Sequence, residues 1–255
     1  MPRKYSSGYI IKGLEHEYEV VRLIQHGNFA LSYEVKSINT EERFFLKQYI
    51  SPVPRTSWYS DYVEYQKTLL HRIDNDFLRL RTLKIIDCFE FPRTANKTFF
   101  QVFEFVDTGS DLDKQLKKDP PLTWDQRVTD ATVFVHLLME LHKKKIIHSD
   151  LKPENILIME NAGQRVLKLI DMDFSILSDM QPPPFAQRDR DDALERRNNV
   201  SSQYVGTYYY TSPEHIKGED VNESSDAFTT GLILYELLTG THPYKSTGDY
   251  NQAVI

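Results

Sequence analysis

The 255-residue chain contains a single cysteine, Cys88. A disulfide framework within the chain is therefore excluded, as is a zinc site built on several thiolates, and nothing calls for an oxidising compartment. No apolar run approaches the ~18 residues that a membrane-spanning helix needs. Met1-Pro2-Arg3-Lys4-Tyr5 is basic, but the apolar stretch behind it, Tyr9-Ile10-Ile11, is too short for a signal peptide. Without a leader, the Asn-x-Ser/Thr triplets at Asn96, Asn199 and Asn222 carry no weight. A basic excess is missing too: 31 Lys and Arg stand against 37 Asp and Glu, giving a net charge of −6. That balance argues against a general nucleic-acid or anionic-membrane binder. What remains is an apolar share of 40% in one large domain or two small ones. The expectation is a soluble, cytoplasmic, globular protein.

The first third alternates β-branched and aromatic runs with polar turns. Strands are predicted over Tyr18–Ile24, Leu31–Ile38, Arg43–Ile50, Leu83–Phe91 and Thr98–Phe105. One helix is predicted over Ser57–Ile73, with Val63, Leu70 and Ile73 near one face. A connector follows at Asp107-Thr108-Gly109-Ser110. Thr123-Trp124-Asp125-Gln126 then has a capping-box pattern and opens a long helix through Val133, Leu137, Leu138 and Leu141. Short strands are predicted at Ile156–Met159 and Val166–Ile170. Gly231–Leu238 reads as a buried helix stopped by Gly240. The tract from Ser178 to Gln203, with Pro182-Pro183-Pro184 and Arg188-Asp189-Arg190-Asp191-Asp192, reads as a long polar loop.

The strongest local signal is His148-Ser149-Asp150-Leu151-Lys152-Pro153-Glu154-Asn155, at a helix–strand junction. An Asp, a Lys and an Asn converging from one loop can orient a hydroxyl, neutralise a phosphate and hold a metal. This octet resembles the catalytic loop of the eukaryotic-type protein kinase family, His-Arg-Asp-Leu-x-x-x-x-Asn, in its Ser/Thr version. Other segments match in order. Ile24-Gln25-His26-Gly27-Asn28-Phe29-Ala30 resembles the glycine-rich loop, with only Gly27 kept, and Lys47 stands where the phosphate-binding lysine belongs. Glu64, on the helix that follows, is its expected carboxylate partner, with Asp61 the alternative. Phe103 falls at the position before the hinge, so the resemblance implies main-chain contacts from Glu104 and Val106 to adenine.

The metal-binding Asp has two registers. Asp173-Phe174 matches two letters of the family's Asp-Phe-Gly. The wider context, Lys168-Leu169-Ile170-Asp171 with Ser175, aligns Asp171 instead, at the end of the apolar strand. Asp171 is the preferred ligand and Asp173 stays beside it as a second. A non-glycine at 173 should restrain backbone flipping. Gly206-Thr207-Tyr208-Tyr209-Tyr210-Thr211-Ser212-Pro213-Glu214 resembles the segment that seats the acceptor, and Asp226 the residue that anchors the catalytic-loop backbone.

The resemblance covers residues 18–245 and implies an α+β, bilobal fold. A 1–17 extension would precede a small β-rich lobe over 18–106, and a larger helical lobe over 107–255 would lack its last helices, leaving an end that invites self-association or a partner. It implies transfer of the ATP γ-phosphoryl group, with Mg²⁺, to Ser or Thr of a protein substrate. Asp150 would orient the hydroxyl, Lys152 stabilise the transferring group, Asn155 and Asp171 hold the cation, and Lys47, Ile24 and Gly27 meet the nucleotide. Four departures stand out: Ser149 replaces an Arg that pairs with a phosphorylated loop, Phe45 and Ser32 exchange bulk around adenine, two glycines are gone, and the stretch from Asp171 to Pro213 is long. A nucleotide-binding scaffold without catalysis and a small-molecule phosphotransferase are the rival readings.

Overall fold

The computed structural model describes residues 4–27, 29–74, 77–92, 97–107, 109–119, 121–161, 164–181, 207–244 and 250–254. Of the expectations above, Asn28, Thr108, the side chain of Thr207 and the polar tract from residue 182 to 206 lie outside the described residues. The chain forms two compact units, Met1–Asn75 with Leu83–Asp107, and Asp76–Thr82 with Thr108–Ile255.

The first unit is a six-stranded sheet in the order β1-β2-β3-β4-β6-β5 with one helix. Its strands are β1 (Ile10–Lys12), β2 (Glu17–His26), β3 (Ala30–Ser37), β4 (Arg43–Tyr49), β5 (Ile85–Phe91) and β6 (Thr98–Glu104). All neighbours are antiparallel. Alternation sorts the strands into two faces. Tyr18, Val20, Tyr33, Val35, Phe44, Leu46, Phe100 and Val102 close one core, joined by Tyr5 and Ile11. Residues 10–12 form the outer strand β1 of this sheet, and Tyr5 stacks on Tyr9 with ring centroids 4.5 Å apart. The anchor is Asp87, buried in β5. Its Oδ2 accepts from the main-chain N–H of Leu14 (2.8 Å) and Glu15 (3.0 Å) and from the Tyr18 hydroxyl (3.1 Å). Burial and this carboxylate push the Tyr18 phenol well above its usual range.

Helix α1 (Tyr59–Ile73) packs on the opposite face of the sheet. Tyr62 meets Tyr49 and Phe99 edge-on, at 6.1 and 6.2 Å between centroids. Its buried stripe is Tyr59, Tyr62, Gln66, Leu69 and Ile73, the i, i+3, i+7 spacing of one helical face, with Val63 and Tyr65 flanking it.

In the second unit, α2 (Leu78–Arg81) abuts β10 through a parallel bridge between Thr82 and Leu169. Strand β7 (Ser110–Asp111) leads into α3 (Leu112–Leu116) and then α4 (Trp124–Lys143). The expected capping box is formed: Thr123 accepts from the Gln126 N–H and Gln126 Oε1 accepts from the Thr123 N–H. Strands β9 (Ile156–Asn161) and β10 (Gln164–Leu169) form a hairpin, and β8 (Ile146–Ile147) pairs with β11 (Ile176–Leu177). After a 3-10 turn at Thr207–Tyr210 come α5 (Pro213–Lys217), α6 (Glu223–Thr239) and α7 (Tyr250–Val254). Gly240 ends α6 with φ 83°, the left-handed cap that glycine adopts at least cost. Arg127 of α4 donates to the Leu237 carbonyl (2.6 Å), fastening α4 to α6. Among the described residues, no helix is long and apolar enough to cross a membrane.

Candidate active site

The pairings β8–β11 and β9–β10 fold the segments 148–155 and 170–175 against each other. Ile170 N–H donates to the Asn155 carbonyl (2.9 Å), and Ser175 Oγ reaches the His148 carbonyl (3.4 Å). His148 is fully buried and locks the crossing: its Nδ1 accepts from Asp150 N–H (3.3 Å), so Nε2 carries the proton and donates to the Ile170 carbonyl (3.2 Å). Asp171 therefore begins where the second segment touches Asn155.

Asp226 of α6 fixes the loop from beneath. It is 1% exposed; Oδ2 accepts from His148 N–H (2.8 Å) and His142 Nε2 (3.0 Å), and Oδ1 from Ser149 N–H (2.9 Å). These bonds hold Ser149 at φ 69°, a left-handed conformation that costs a non-glycine residue about 1–2 kcal/mol. The anchoring role expected for Asp226 is the one it has.

The three expected catalytic residues converge. Lys152 Nζ lies 2.8 Å from Asp150 Oδ2, and Asn155 Nδ2 donates to the Asp150 carbonyl (2.8 Å) and to Oδ2 (3.2 Å). Asp150 and Lys152 are partly exposed, whereas Asn155 is buried. Asp171 sits at φ 63°, and Asp173 has no such φ. The left-handed residue of this stretch is Asp171.

With Nδ2 committed to Asp150, Asn155 presents Oδ1 as its acceptor. Among the described residues no three His, Cys, Asp or Glu side chains gather into a metal site. The oxygens of Asn155 and Asp171, completed by phosphate oxygens, match the sparse donor set that Mg²⁺ takes in phosphoryl-transfer sites.

The remaining expected residues lie in the first unit. Ile24 is exposed near the end of β2. Gly27 N–H donates to the Ala30 carbonyl (2.9 Å), and a Cβ there would lie 3.0 Å from that oxygen, so the hairpin is tight enough to favour glycine. Lys47 stands in β4 opposite Ser32 and Gln101, with Phe45 beside Phe103. Glu104 closes β6, its N–H donating to the Lys84 carbonyl (2.9 Å), and Val106 follows, half-buried. Arg43 braces this stretch: its guanidinium lies 4.2 Å from the Phe105 ring centroid and pairs with Asp107 (2.7 Å).

Glu64 does not take the role expected of it. Its side chain is 71% exposed and pairs with Lys67 at 2.7 Å, one turn along α1. The alternative, Asp61, is exposed as well. The physical reason is the helical period: the stripe turned to the sheet runs 59, 62, 66, 69, and position 64 falls outside it. The polar side chain on that stripe is Gln66. It accepts from Gln101 Nε2 (3.3 Å), and Gln101 Oε1 in turn accepts from the Tyr49 hydroxyl (2.8 Å). Gln101 is the cross-strand partner of Lys47. The signal that could have found Gln66 was the stripe itself, read as a full turn-by-turn pattern instead of a search for glutamate.

The comparisons agree with this architecture. The family model for the protein kinase domain matches residues 18–255. The chain is 28% identical over 239 residues to the serine/threonine-protein kinase pkn3 of Myxococcus xanthus, covering 93% of this chain and 40% of that protein. It is 25% identical over 240 residues to AtPK1/AtPK6 of Arabidopsis thaliana (94% and 45%), and 36% identical over 176 residues to the RasGEF domain-containing serine/threonine-protein kinase X of Dictyostelium discoideum (68% and 16%). The chain thus spans less than half the length of these relatives. The kinase domain of Mycobacterium tuberculosis PknI shares the fold, with a TM-score of 0.60 at 18% identity over 94% of this chain and 79% of that one. With the family model spanning nearly the whole chain, and relatives and folds agreeing, the chain belongs to the eukaryotic-type Ser/Thr protein kinase family.

Proposed function

We propose that the chain transfers the γ-phosphoryl group of ATP to Ser or Thr hydroxyls of protein substrates. The observation that supports this best is the meeting of Asp150, Lys152 and Asn155 in one anchored loop. Asp150 Oδ2 is engaged by both neighbours, which leaves Oδ1 to accept the proton of an incoming hydroxyl as its oxygen bonds to the γ-phosphorus and the bond to the ADP oxygen breaks. Lys152 offsets charge on the phosphoryl oxygens. Such chemistry depends on positioning and charge neutralisation, with little covalent work for the protein.

Mg²⁺, when bound, would neutralise the phosphate chain, and Asn155 Oδ1 and Asp171 are the residues that would hold it. The left-handed backbone of Asp171 supports that register, because strained backbone at a cluster of polar groups is characteristic of functional positions. Asp173 is the second candidate. Lys47 would meet the α- and β-phosphates, with Gln66 in place of Glu64 as the polar group of α1 on that face. Gly27 and Ile24 would cover the nucleotide, and main-chain groups of Glu104 and Val106 would meet adenine. A cytoplasmic setting fits the single cysteine.

The test is transfer of label from γ-labelled ATP with Mg²⁺ to a generic protein acceptor, in wild type, Asp171→Ala and Asp173→Ala. The reading expects wild type to label the acceptor, Asp171→Ala to lose transfer, and Asp173→Ala to keep a substantial part. Loss in Asp173→Ala with survival of Asp171→Ala would reverse the register. An inert wild type would refute the phosphotransfer reading.

A further inference from the structure

We propose that His215 is a positioning residue that ties the acceptor-seating segment to the catalytic loop through two neutral hydrogen bonds. This deepens the phosphotransfer reading and rests on it. The departure at Ser149 is the starting point: where the family places an Arg, this chain carries a short hydroxyl. That hydroxyl lies 3.3 Å from His215 Nε2, on the first turn of α5. On the other side of the ring, Nδ1 lies 2.8 Å from Ser212 Oγ, which is buried and also accepts the His215 N–H as the cap of α5.

Nδ1 faces Ser212 Oγ, whose hydroxyl also bonds the Glu214 carboxylate, and Nε2 faces Ser149 Oγ, so a ring with one proton bonds both serines whichever nitrogen carries it. The ring is neutral in this arrangement. Three carboxylates face it, Asp226 from α6, Asp150 from the loop and Glu214 from α5 itself, and each favours the cation; burial outweighs them and lowers the ring's pKa.

The link runs directly between two segments that are each also fastened to α6. On the loop side, Ser149 N–H is fixed by Asp226 and Asp150 by Lys152 and Asn155, none of which involves His215. On the other side, residues 209–211 are fastened to α6 and beyond. Thr229 Oγ1 donates to the Tyr210 carbonyl (2.9 Å), His242 Nε2 to the Tyr209 carbonyl (2.9 Å), and the Tyr250 hydroxyl to the Thr211 carbonyl (2.9 Å). Glu214 is held by Ser225 at 3.0 Å. His215 spans the gap between this segment and the residue adjoining Asp150. Without it, the loop keeps its shape and the distance from Asp150 to a seated acceptor is less well set. The coupling uses no phosphate.

Three variants separate this from a merely structural role. His215→Asn keeps an amide near Ser212 but is too short for Ser149; His215→Gln reaches Ser149; Ser149→Ala removes the hydroxyl. The measurements are kcat/KM for the protein acceptor, and ATP hydrolysis without acceptor. His215→Asn and Ser149→Ala are expected to lower kcat/KM for the acceptor roughly fivefold, the worth of one such bond, with ATP hydrolysis unchanged, and His215→Gln to restore most of it. Equal falls in both reactions, or full transfer in Ser149→Ala, would overturn the proposal. Nitrogen-15 chemical shifts of the His215 ring give a readout independent of turnover. A neutral ring at pH 7 is expected, and a cation would overturn the link even if wild type proved inert, an outcome that would separately refute the phosphotransfer reading.

Discussion

Replacing Asp226 with alanine should unhinge the catalytic loop and lower the stability of the second unit. The carboxylate accepts from two main-chain N–H groups, His148 and Ser149, and from the His142 ring, in a position 1% exposed. Alanine offers these donors no acceptor. A buried donor left unpaired costs ~1–3 kcal/mol, so the two main-chain groups together predict a loss of about 4 kcal/mol. Asp226→Asn keeps one acceptor oxygen and turns an NH₂ toward another donor, so about half that loss is expected. For a unit of this size, about 4 kcal/mol corresponds to roughly 10 °C in Tm. Calorimetric melting of wild type, Asp226→Asn and Asp226→Ala should rank in that order. The strained φ of Ser149 sharpens the assay, because releasing its N–H frees the loop to relax, and label transfer should fall further than the folded fraction does. An alanine variant melting within ~2 °C of wild type would refute the claim that these bonds hold the loop.

The other predictions concern the first unit. Gly13→Ala would place a Cβ 2.3 Å from Asp87 Oδ2 and 2.6 Å from Tyr18 Cε2; expelling that carboxylate from its three donors should cost on the order of 3 kcal/mol, read as a lower urea midpoint. Glu64→Ala should leave nucleotide affinity within about twofold, while Gln66→Ala should weaken it several-fold, since only Gln66 bonds to the strand beside Lys47; titration with a fluorescent ATP analogue distinguishes them. Burial pushes the Cys88 thiol up to about 12, so its thiolate is scarce at neutral pH, and alkylation by iodoacetamide at pH 8 should be far slower than for a free thiol and accelerate as pH rises toward that value.

Much of the architecture was legible in the residues because it rests on local chemistry. Thr123 and Gln126 announce a capping box, Gly240 a helix stop, and the alternation in Arg43–Tyr49 a strand with two different faces. The Asp150, Lys152 and Asn155 cluster was legible because one short loop carries all three. What escaped was what only tertiary packing decides. Ile10–Lys12 is short and unremarkable as a strand until Asp87, distant in sequence, binds the turn beside it. Glu64 has the right chemistry and the wrong helical phase, and Gln66 the reverse. The tie between Ser149 and His215 joins residues far apart in the chain, and its only trace in the sequence is the missing arginine.

In the proposed reaction Asp150 receives a hydroxyl proton while phosphate passes to a protein Ser or Thr. The most direct measurement is single-turnover label transfer from γ-labelled ATP, followed by phosphoamino-acid analysis, comparing wild type with Asp150→Asn. Wild type is expected to give phosphoserine or phosphothreonine, and the variant a fall of at least about 10²-fold, in line with loss of a general base. Equal transfer by both proteins, or no transfer by wild type, would contradict the proposed reaction.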